Sequence, residues 1–398
     1  MKKVVVGLSG GVDSSVAAYL LKEQGYEVIG MFMINWHDTV GTLAGDCPWN
    51  DDLIFAELVA RKLDIPFHQV DFSEQYRDRV VDYMFNEYQQ GRTPNPDVLC
   101  NREVKFDLFA KAALDLGADY VATGHYCRKE TIEKNGKEVH RLLAGTDPSK
   151  EQSYFLCQVS QDQLKTALFP IGHLHKSEIR RIAAEQDLAT ADKKDSQGIC
   201  FVGKVDLPTF LQQKLDAKKG ITVEIAKDSE NNPDIHKPVI GNSYTNEELN
   251  TFAEPASYSP EMGINAGVHN GAHFFTIGQR KGLNIGGRKE PLFVLGTDVI
   301  ENVVYVGQGH NHPGLNRYGL FIPLNELHWI RPDLEMKDGD IRKQLVRVRY
   351  RQPLQEACLY RTTNGMFILF EEAQRGITSG QFAAWYDSDE MIGSGVIN

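Results

Sequence analysis

The sequence lacks any CxxC pair: its six cysteines, Cys47, Cys100, Cys127, Cys157, Cys200 and Cys358, never lie closer than the 27 residues from Cys100 to Cys127. That spacing argues against a zinc knuckle or ribbon. In a reducing compartment such thiols stay free and many are simply buried, so a reactive one must be picked out by its surroundings. No apolar run approaches the ~18 residues a membrane span needs. The opening MKKVVVGLSGG imitates a secretory leader, but it breaks into a glycine turn and an acid with no cleavage site, which points to a cytoplasmic protein without a membrane partner. An excess of positive charge is also missing. Net charge is 43 − 54 = −11, against a general nucleic-acid coat protein but compatible with an RNA enzyme whose basic residues are gathered on one face. Neither GK[ST] nor GxGxxG occurs at the N-terminal glycine turn, which excludes a Walker A loop and a dinucleotide fingerprint there. No internal repeat is apparent.

What is present is an ordinary globular composition, 41% hydrophobic and 24% charged over 398 residues, enough for roughly two to three domains. The first part alternates strand and helix. Strands are expected at Lys3–Leu8, Glu27–Ile34, Phe67–Phe72 and Tyr120–Thr123, and helices at Ser14–Gln24, Leu53–Leu63, Glu74–Tyr88 and Val104–Leu116. This α/β alternation predicts a doubly wound parallel sheet, with ligands at the carboxyl ends of its strands, where Ser9–Ser14 and Gly124–His125 fall. A small, mainly helical central domain is expected next, including Lys176–Gln186. Residues 225–265 are polar and turn-rich and read as a long loop or insertion. From about Ala272, short alternating strands separated by glycine and proline predict a β-barrel. The resulting boundaries are 1–158, 159–224, 225–265 and 266–398.

The strongest local signal is Gly7-Leu8-Ser9-Gly10-Gly11-Val12-Asp13-Ser14-Ser15 between a strand and a helix. Glycines let backbone amides close around phosphate oxygens at a helix N-terminus, and Asp13 suits an N-cap or a magnesium ion. A tight turn with a capping aspartate satisfies the same spacing. Two cysteines sit in polar company. Cys100 follows Asn95-Pro96-Asp97 and precedes a helical run, so a helix dipole together with Arg102 and Lys105 is expected to favour its thiolate. Cys200 lies in Lys193-Lys194-Asp195-Ser196-Gln197-Gly198-Ile199-Cys200-Phe201, a candidate mobile loop. A buried structural cysteine fits either place equally well. Cys47, Cys127, Cys157 and Cys358 are expected to be dispensable. In the basic stretch 341–351, Arg347, Arg349 and Arg351 alternate, so a strand would bring them to one face for phosphate contacts; a solvated barrel face is the plainer reading. His310 and His312 suit a polar loop better than a metal, and no metal-binding cluster is expected.

Eight segments in order carry a resemblance: GLSGGVDSS at 7–15, GRTPNPDVLCNREVKF at 91–106, ATGHY at 122–126, KEQSYFL at 150–156, KKDSQGICF at 193–201, FFTIGQRKGLNIGG at 274–287, GHNHP at 309–313 and VRYRQ at 348–352. The first resembles the PP-loop of the ATP pyrophosphatases. Together they resemble the bacterial tRNA-specific 2-thiouridylases over nearly the whole chain. The resemblance implies ATP with Mg2+ as cofactors, adenylation of the wobble uridine C2 oxygen of tRNA, and replacement of that oxygen by sulfur from a persulfide on Cys200. The persulfide would come from a sulfur donor, a cysteine desulfurase or relay protein. Cys100 then forms a disulfide with Cys200 or frees hydrosulfide, and Asp97 acts as general acid/base. By family position, ATP is expected at Gly7, Leu8, Ser9, Gly10, Gly11, Val12, Asp13, Ser14, Met33 and Gly124. Expected tRNA contacts are Asn95, Pro96, Asp97, His125, Lys150, Glu151, Gln152, Arg349 and Gln352. Residues 225–265 are longer than this resemblance leads one to expect, and Glu151 stands where aspartate is more usual. A catalytically silent tRNA-binding module would need no paired thiols, and a small-molecule PP-loop ligase would need no basic barrel.

Overall fold

The structure, a computed structural model, describes residues 1–37, 49–195, 198–200, 202 and 205–398. Cys47 lies outside the described residues. Five parallel strands run in the order Phe67–Asp71, Glu27–Ile34, Lys3–Gly7, Tyr120–Ala122, Ala167–Leu168. Val4, Val5 and Val6 in the middle strand are fully buried, as the continuous apolar run of a strand covered on both faces requires. Helices Val12–Glu23 and Asn50–Lys62 share one core cluster with the sheet. The helical run from Ser73 to Gln89 belongs to the other cluster, as does the one from Pro96 to Asp115. The central strand has the second strand on one side and the fourth on the other. Its carboxyl end therefore opens onto the crevice where this fold class binds ligands.

The expected strands and helices of this region are all present, with ends shifted by at most three residues except that the run expected from Val104 begins at Pro96. Two features were not expected. Ala167–Leu168 adds a fifth strand to the sheet, and a hairpin, Cys127–Lys134 with Lys137–Ala144, leaves the domain altogether. That hairpin pairs with Glu390–Val396 and so extends the C-terminal antiparallel sheet. The sheet's order is Asn316–Pro323, Gly365–Arg375, Gln355–Thr362, Ile341–Arg347, Phe382–Asp387, Glu390–Val396, Lys137–Ala144, Cys127–Lys134. Leu320, Ile322, Ala357, Leu359, Ile368, Phe370 and Trp385 form its core.

The three-part order holds, while the centre differs in detail from a helical unit. Helix Lys176–Glu185 buries Ile179 and Ala183 in the same cluster as Val16, Ala17 and Leu21, so it packs with the first domain. The central unit is a four-stranded sheet of Leu292–Asp298, Val303–Gln308, Gly220–Ile225 and Ile264–His269, and the C-terminal sheet begins only at Asn316. Within the polar stretch 225–265 lies a helix, Asn246–Ala253, opened by a capping box in which Thr245 and Glu248 satisfy each other's backbone amides. Its Leu249 and Ala253 pack on Cys358, Tyr360, Phe367 and Leu369 and cover the outer face of the C-terminal sheet. The loop reading of this stretch is corrected to that extent; T-x-x-E before an apolar i, i+3, i+4 set was the signal.

Candidate active site

The phosphate loop leaves the central strand at Gly7 and enters the helix at Val12. Gly10 has φ +72°, and a Cβ there would strike the backbone of Asp52; a Cβ on Gly124 would lie 2.8 Å from the Ser14 amide. Both positions therefore need glycine for close backbone approach. Ser14 Oγ accepts from the Ser9 amide at 3.1 Å and donates to the Gly11 carbonyl at 3.1 Å, which holds the turn open. Met33 and Leu8 are buried under the loop, with Met33 Cε 3.5 Å from where a Cβ on Gly7 would stand.

Asp13 does not cap the helix, whose N-cap is Gly11 without a side-chain bond. Its carboxylate takes Lys176 Nζ at 2.7 and 2.9 Å and the Tyr126 hydroxyl at 2.6 Å. Lys176 also meets Asp195 at 2.8 Å, and Asp195 binds Lys150 at 2.7 Å and Arg180 at 3.0 Å. Asp195 stands five residues before Cys200, so one cation cluster joins the phosphate loop to the cysteine segment. Partial burial works against the Asp195 charge, yet Lys150 and Lys176 hold its carboxyl down at about 2. Lys193 pairs with Asp52, the residue whose backbone abuts Gly10.

The second half of the site lies at the start of the helical run from Pro96. Asn95 caps it, accepting from the Val98 amide, and Pro96 occupies the first turn, where a missing N–H is harmless. Asp97 Oδ1 accepts the Cys200 backbone N–H at 2.9 Å, and the Tyr76 hydroxyl donates to the Cys200 carbonyl at 2.7 Å. These two bonds hold the Cys200 backbone beside Asp97, and the Cys100 and Cys200 thiols are hydrogen-bonded to each other without a disulfide. Burial pushes the Asp97 carboxyl above its ordinary value, with the Cys200 amide and Lys105 pulling the other way.

The surroundings shift the two thiols in opposite directions. Burial first, and then the neighbouring Cys200 sulfur, hold the Cys100 thiol well above its usual range. The hydrogen bond from Cys100 brings the Cys200 thiol below its usual value despite burial, with Lys105 in support. Cys100 sits one turn inside the helix rather than at its end, and Arg102 turns away to Glu103 at 2.7 Å and Gln158 at 2.9 Å.

The expected RNA-contacting residues separate into two groups. Lys150 is half-buried beside Asp195, and Asn95 and Pro96 border the cysteines. Gln152 is tied by its Oε1 to the Tyr126 amide at 3.0 Å. His125 is buried, bonds Thr123 at 2.7 Å, and is kept neutral by burial and then by Lys105. Glu151 is a correction: only 7% exposed, it forms an ion pair with Arg347 at 2.7 Å and accepts the Ser153 amide at 2.5 Å, so its side chain faces the interior. The alternating arginines are corrected too. The strand ends at Arg347, which is buried in that pair; Arg349 bonds the Gly376 carbonyl and Thr378 at 3.2 Å, and Arg351 turns out at φ +66°. Gln352 is held by Val348 at 2.9 Å and Gln374 at 2.7 Å.

Three residues escaped the reading from sequence: Tyr76, Lys176 and Gln381. Gln381 donates to the carbonyls of Thr93 at 2.9 Å and Pro94 at 3.1 Å, so the C-terminal sheet props the loop that carries Asp97. Lone polar residues far along the chain gave no signal of these contacts. Cys127, Cys157 and Cys358 are buried, and His312 is a buried loop residue accepting from the Gly314 amide at 3.2 Å. Among the described residues no group of three His, Cys, Asp or Glu side chains could hold a metal, and no helix is long and apolar enough to cross a membrane.

Comparison with known proteins agrees with this arrangement. Residues 2–204 match the tRNA methyl transferase HUP domain family, 257–308 the tRNA methyl transferase PRC-barrel domain and 321–397 the aminomethyltransferase beta-barrel domain. Relatives named tRNA-specific 2-thiouridylase MnmA from Christiangramia forsetii and Flavobacterium johnsoniae are 60% and 59% identical, each over 100% of both chains. A relative of the same name from Shouchella clausii is 43% identical over 100% of this chain and 96% of its own. On identity of that level along its full length, the chain belongs to the tRNA-specific 2-thiouridylase family.

Proposed function

We propose that the protein replaces the C2 oxygen of the wobble uridine of tRNA by sulfur, consuming ATP, with Cys200 carrying the sulfur and Cys100 resolving it. The observation that carries this reading is the meeting of the Cys100 and Cys200 thiols beside Asp97, whose carboxylate oxygen accepts the Cys200 amide. A protein that only binds tRNA has no need of such a pair.

ATP fits the phosphate loop, where Gly10 and Gly124 let the loop pack closely against neighbouring backbone and Ser9, Ser14 and Ser15 supply hydroxyls. Lys176 stands at the same place with its charge directed at Asp13. Magnesium would come with the nucleotide and neutralise phosphate charge; Asp13 would serve as its ligand only on releasing Lys176, which now bonds both of its oxygens. Adenylation turns the uracil oxygen into a good leaving group, with pyrophosphate released. The Cys200 thiolate takes the outer sulfur of a donor persulfide, leaving the donor as a thiolate. The terminal sulfur of Cys200 attacks C2 while AMP leaves. Cys100, after giving up its proton, attacks the inner sulfur of Cys200; that S–S bond breaks, a Cys100–Cys200 disulfide forms, and the sulfur stays on the base. Asp97 is placed to move the protons. Asn95, Pro96 and Asp97 would line the pocket for a base swung out of its stack, with Lys150 and Gln152 as further tRNA contacts.

The test is nucleoside mass spectrometry of unmodified tRNA incubated with enzyme, ATP, magnesium and a persulfide donor. Thiouridine with the wild type and none with Cys200→Ser or Cys100→Ser is expected. ATP cleavage with a small acceptor and none with tRNA would replace this reading by that of a small-molecule ligase.

A further inference from the structure

Cys200 stands in a turn, outside the helices and strands, so no regular ladder serves its N–H and C=O. Backbone polar groups taken from water must find partners. Here both partners are side chains of the first domain. Asp97 Oδ1 accepts the N–H at 2.9 Å, and the Tyr76 hydroxyl donates to the C=O at 2.7 Å. The two anchors come from separate helical runs. Tyr76 closes the short helix Ser73–Tyr76, just ahead of a π-helical stretch, Arg77–Val81. Asp97 lies in Pro96–Leu99, which leads into a second such stretch, Cys100–Leu108. The Tyr76 ring is fully buried in the core cluster that holds Val98, Cys100 and Phe210, so its hydroxyl is delivered from a fixed place. Burial, and then the two sulfurs and Asp97, keep the phenol well above its usual range, so it acts as a donor.

We propose that Tyr76 is a positioning residue: together with Asp97 it holds the Cys200 backbone at two points and thereby aims the Cys200 sulfur at Cys100. A single bond to the amide leaves a residue free to turn about that bond. With N–H and C=O both held, the L configuration at Cα sets the direction of Cβ, and the sulfur follows it. Neither anchor is made to the sulfur. Tyr76 therefore holds Cys200 in the same way whether its side chain is a thiol, carries an added sulfur or has closed to a disulfide. The use made of that disulfide rests on the thiolation reading above; the alignment of the two sulfurs does not. A plainer reading makes the hydroxyl a buried polar atom satisfied by the nearest carbonyl, with no bearing on the sulfur. The two readings separate at Tyr76→Phe, which removes the anchor and keeps the ring that fills the core.

The experiment uses glutathione disulfide in place of the sulfur donor, on full-length wild type and Tyr76→Phe, without ATP or tRNA. In the first step the Cys200 thiolate attacks the reagent, gains one glutathione and releases the other as thiolate. In the second the Cys100 sulfur, its proton passing to solvent, attacks the Cys200 sulfur; the mixed disulfide breaks, the Cys100–Cys200 bond forms and glutathione leaves. Acid quenching and peptide mass spectrometry give both rates. Only the second step depends on how the two protein sulfurs are aligned. In Tyr76→Phe it is expected to slow by about ten- to hundredfold, with the first step within about twofold of the wild type. An unchanged second step overturns the proposal, and so does an equal slowing of both steps, the mark of a general loosening. A Tyr76→Phe that does not fold would assign the hydroxyl to the fold as a whole and overturn it too. The wild type supplies a second measurement: the folded protein is expected to close the disulfide faster than the same chain in urea, where the two cysteines are joined only by the chain between them. Equal rates there overturn the proposal. Thiouridine formation is scored separately: its absence from a wild type that closes the disulfide refutes the thiolation reading and leaves Tyr76 in its place.

Discussion

Asp97 is half-buried, with one oxygen committed to the Cys200 amide and with its carboxyl pushed by burial above the ordinary value. A carboxyl whose pKa is raised on folding contributes stability that is full below the unfolded value, about 3.9, and is lost as pH rises through the folded value. Asp97→Asn never ionises and keeps the amide acceptor. It is therefore expected to melt at or above the wild type at pH 7, with the advantage vanishing near pH 3.5, while thiouridine formation falls by about 10²–10⁴. Thermal melts at two pH values beside a single-turnover assay check both halves. At this scale the sequence pointed to three residues that the fold does bring together, Asp97, Cys100 and Cys200, but not to the surroundings that shift them. Proline and asparagine ahead of Cys100 announce a helix start, but burial and the company of Cys200 are tertiary facts that no local spacing records. Glu151 shows the same limit: a polar residue between Lys150 and Gln152 looks exposed, and only the fold reveals Arg347 beside it.

Strands and helices of the first domain were legible because each carries its own period and its own punctuation. The π winding at Cys100–Leu108 was not, since the residues there would suit an α-helix equally well. Nor was the tie between the phosphate loop and the cysteine segment. Asp195 is held by three cations from two other parts of the chain, so its charge anchors the segment that leads to Cys200. Because Asp195 sits at about 2, this tether is fully present above the ordinary carboxylate value and is lost only as pH falls through about 2. Asp195→Ala is expected to raise hydrogen–deuterium exchange at Gly198–Cys200 at neutral pH and to slow thiolation, leaving exchange in the strand Lys3–Gly7 unchanged. Unaltered exchange at Gly198–Cys200 would show that the segment is held by other means.

Across the whole molecule, the site depends on the C-terminal sheet as well as on the nucleotide-binding domain. The hairpin of residues 127–144 joins that sheet, Tyr154 donates to the Phe382 carbonyl at 3.0 Å, and Gln381 props the Thr93–Pro94 loop. The buried pair Glu151–Arg347 links the same two bodies, with the guanidinium also over the Tyr386 ring. Removing one partner leaves a buried charge alone. Arg347→Met is expected to cost about 3–5 kcal/mol in denaturant unfolding, and the double variant with Glu151→Leu to recover most of it. Long-range pairing of this kind, between residues 142 and 391, leaves no trace in local pattern, which is why the domain boundaries read from sequence were cleaner than the molecule is.

The central claim, that Cys200 carries the sulfur which reaches the base, is tested most directly by peptide mass spectrometry of the enzyme after exposure to a persulfide donor, followed by a chase with tRNA and ATP. The account predicts one added sulfur on the Cys200 peptide, removed in the chase as thiouridine appears in the tRNA and a Cys100–Cys200 disulfide forms. Thiouridine appearing while Cys200 never carries the added sulfur would contradict it.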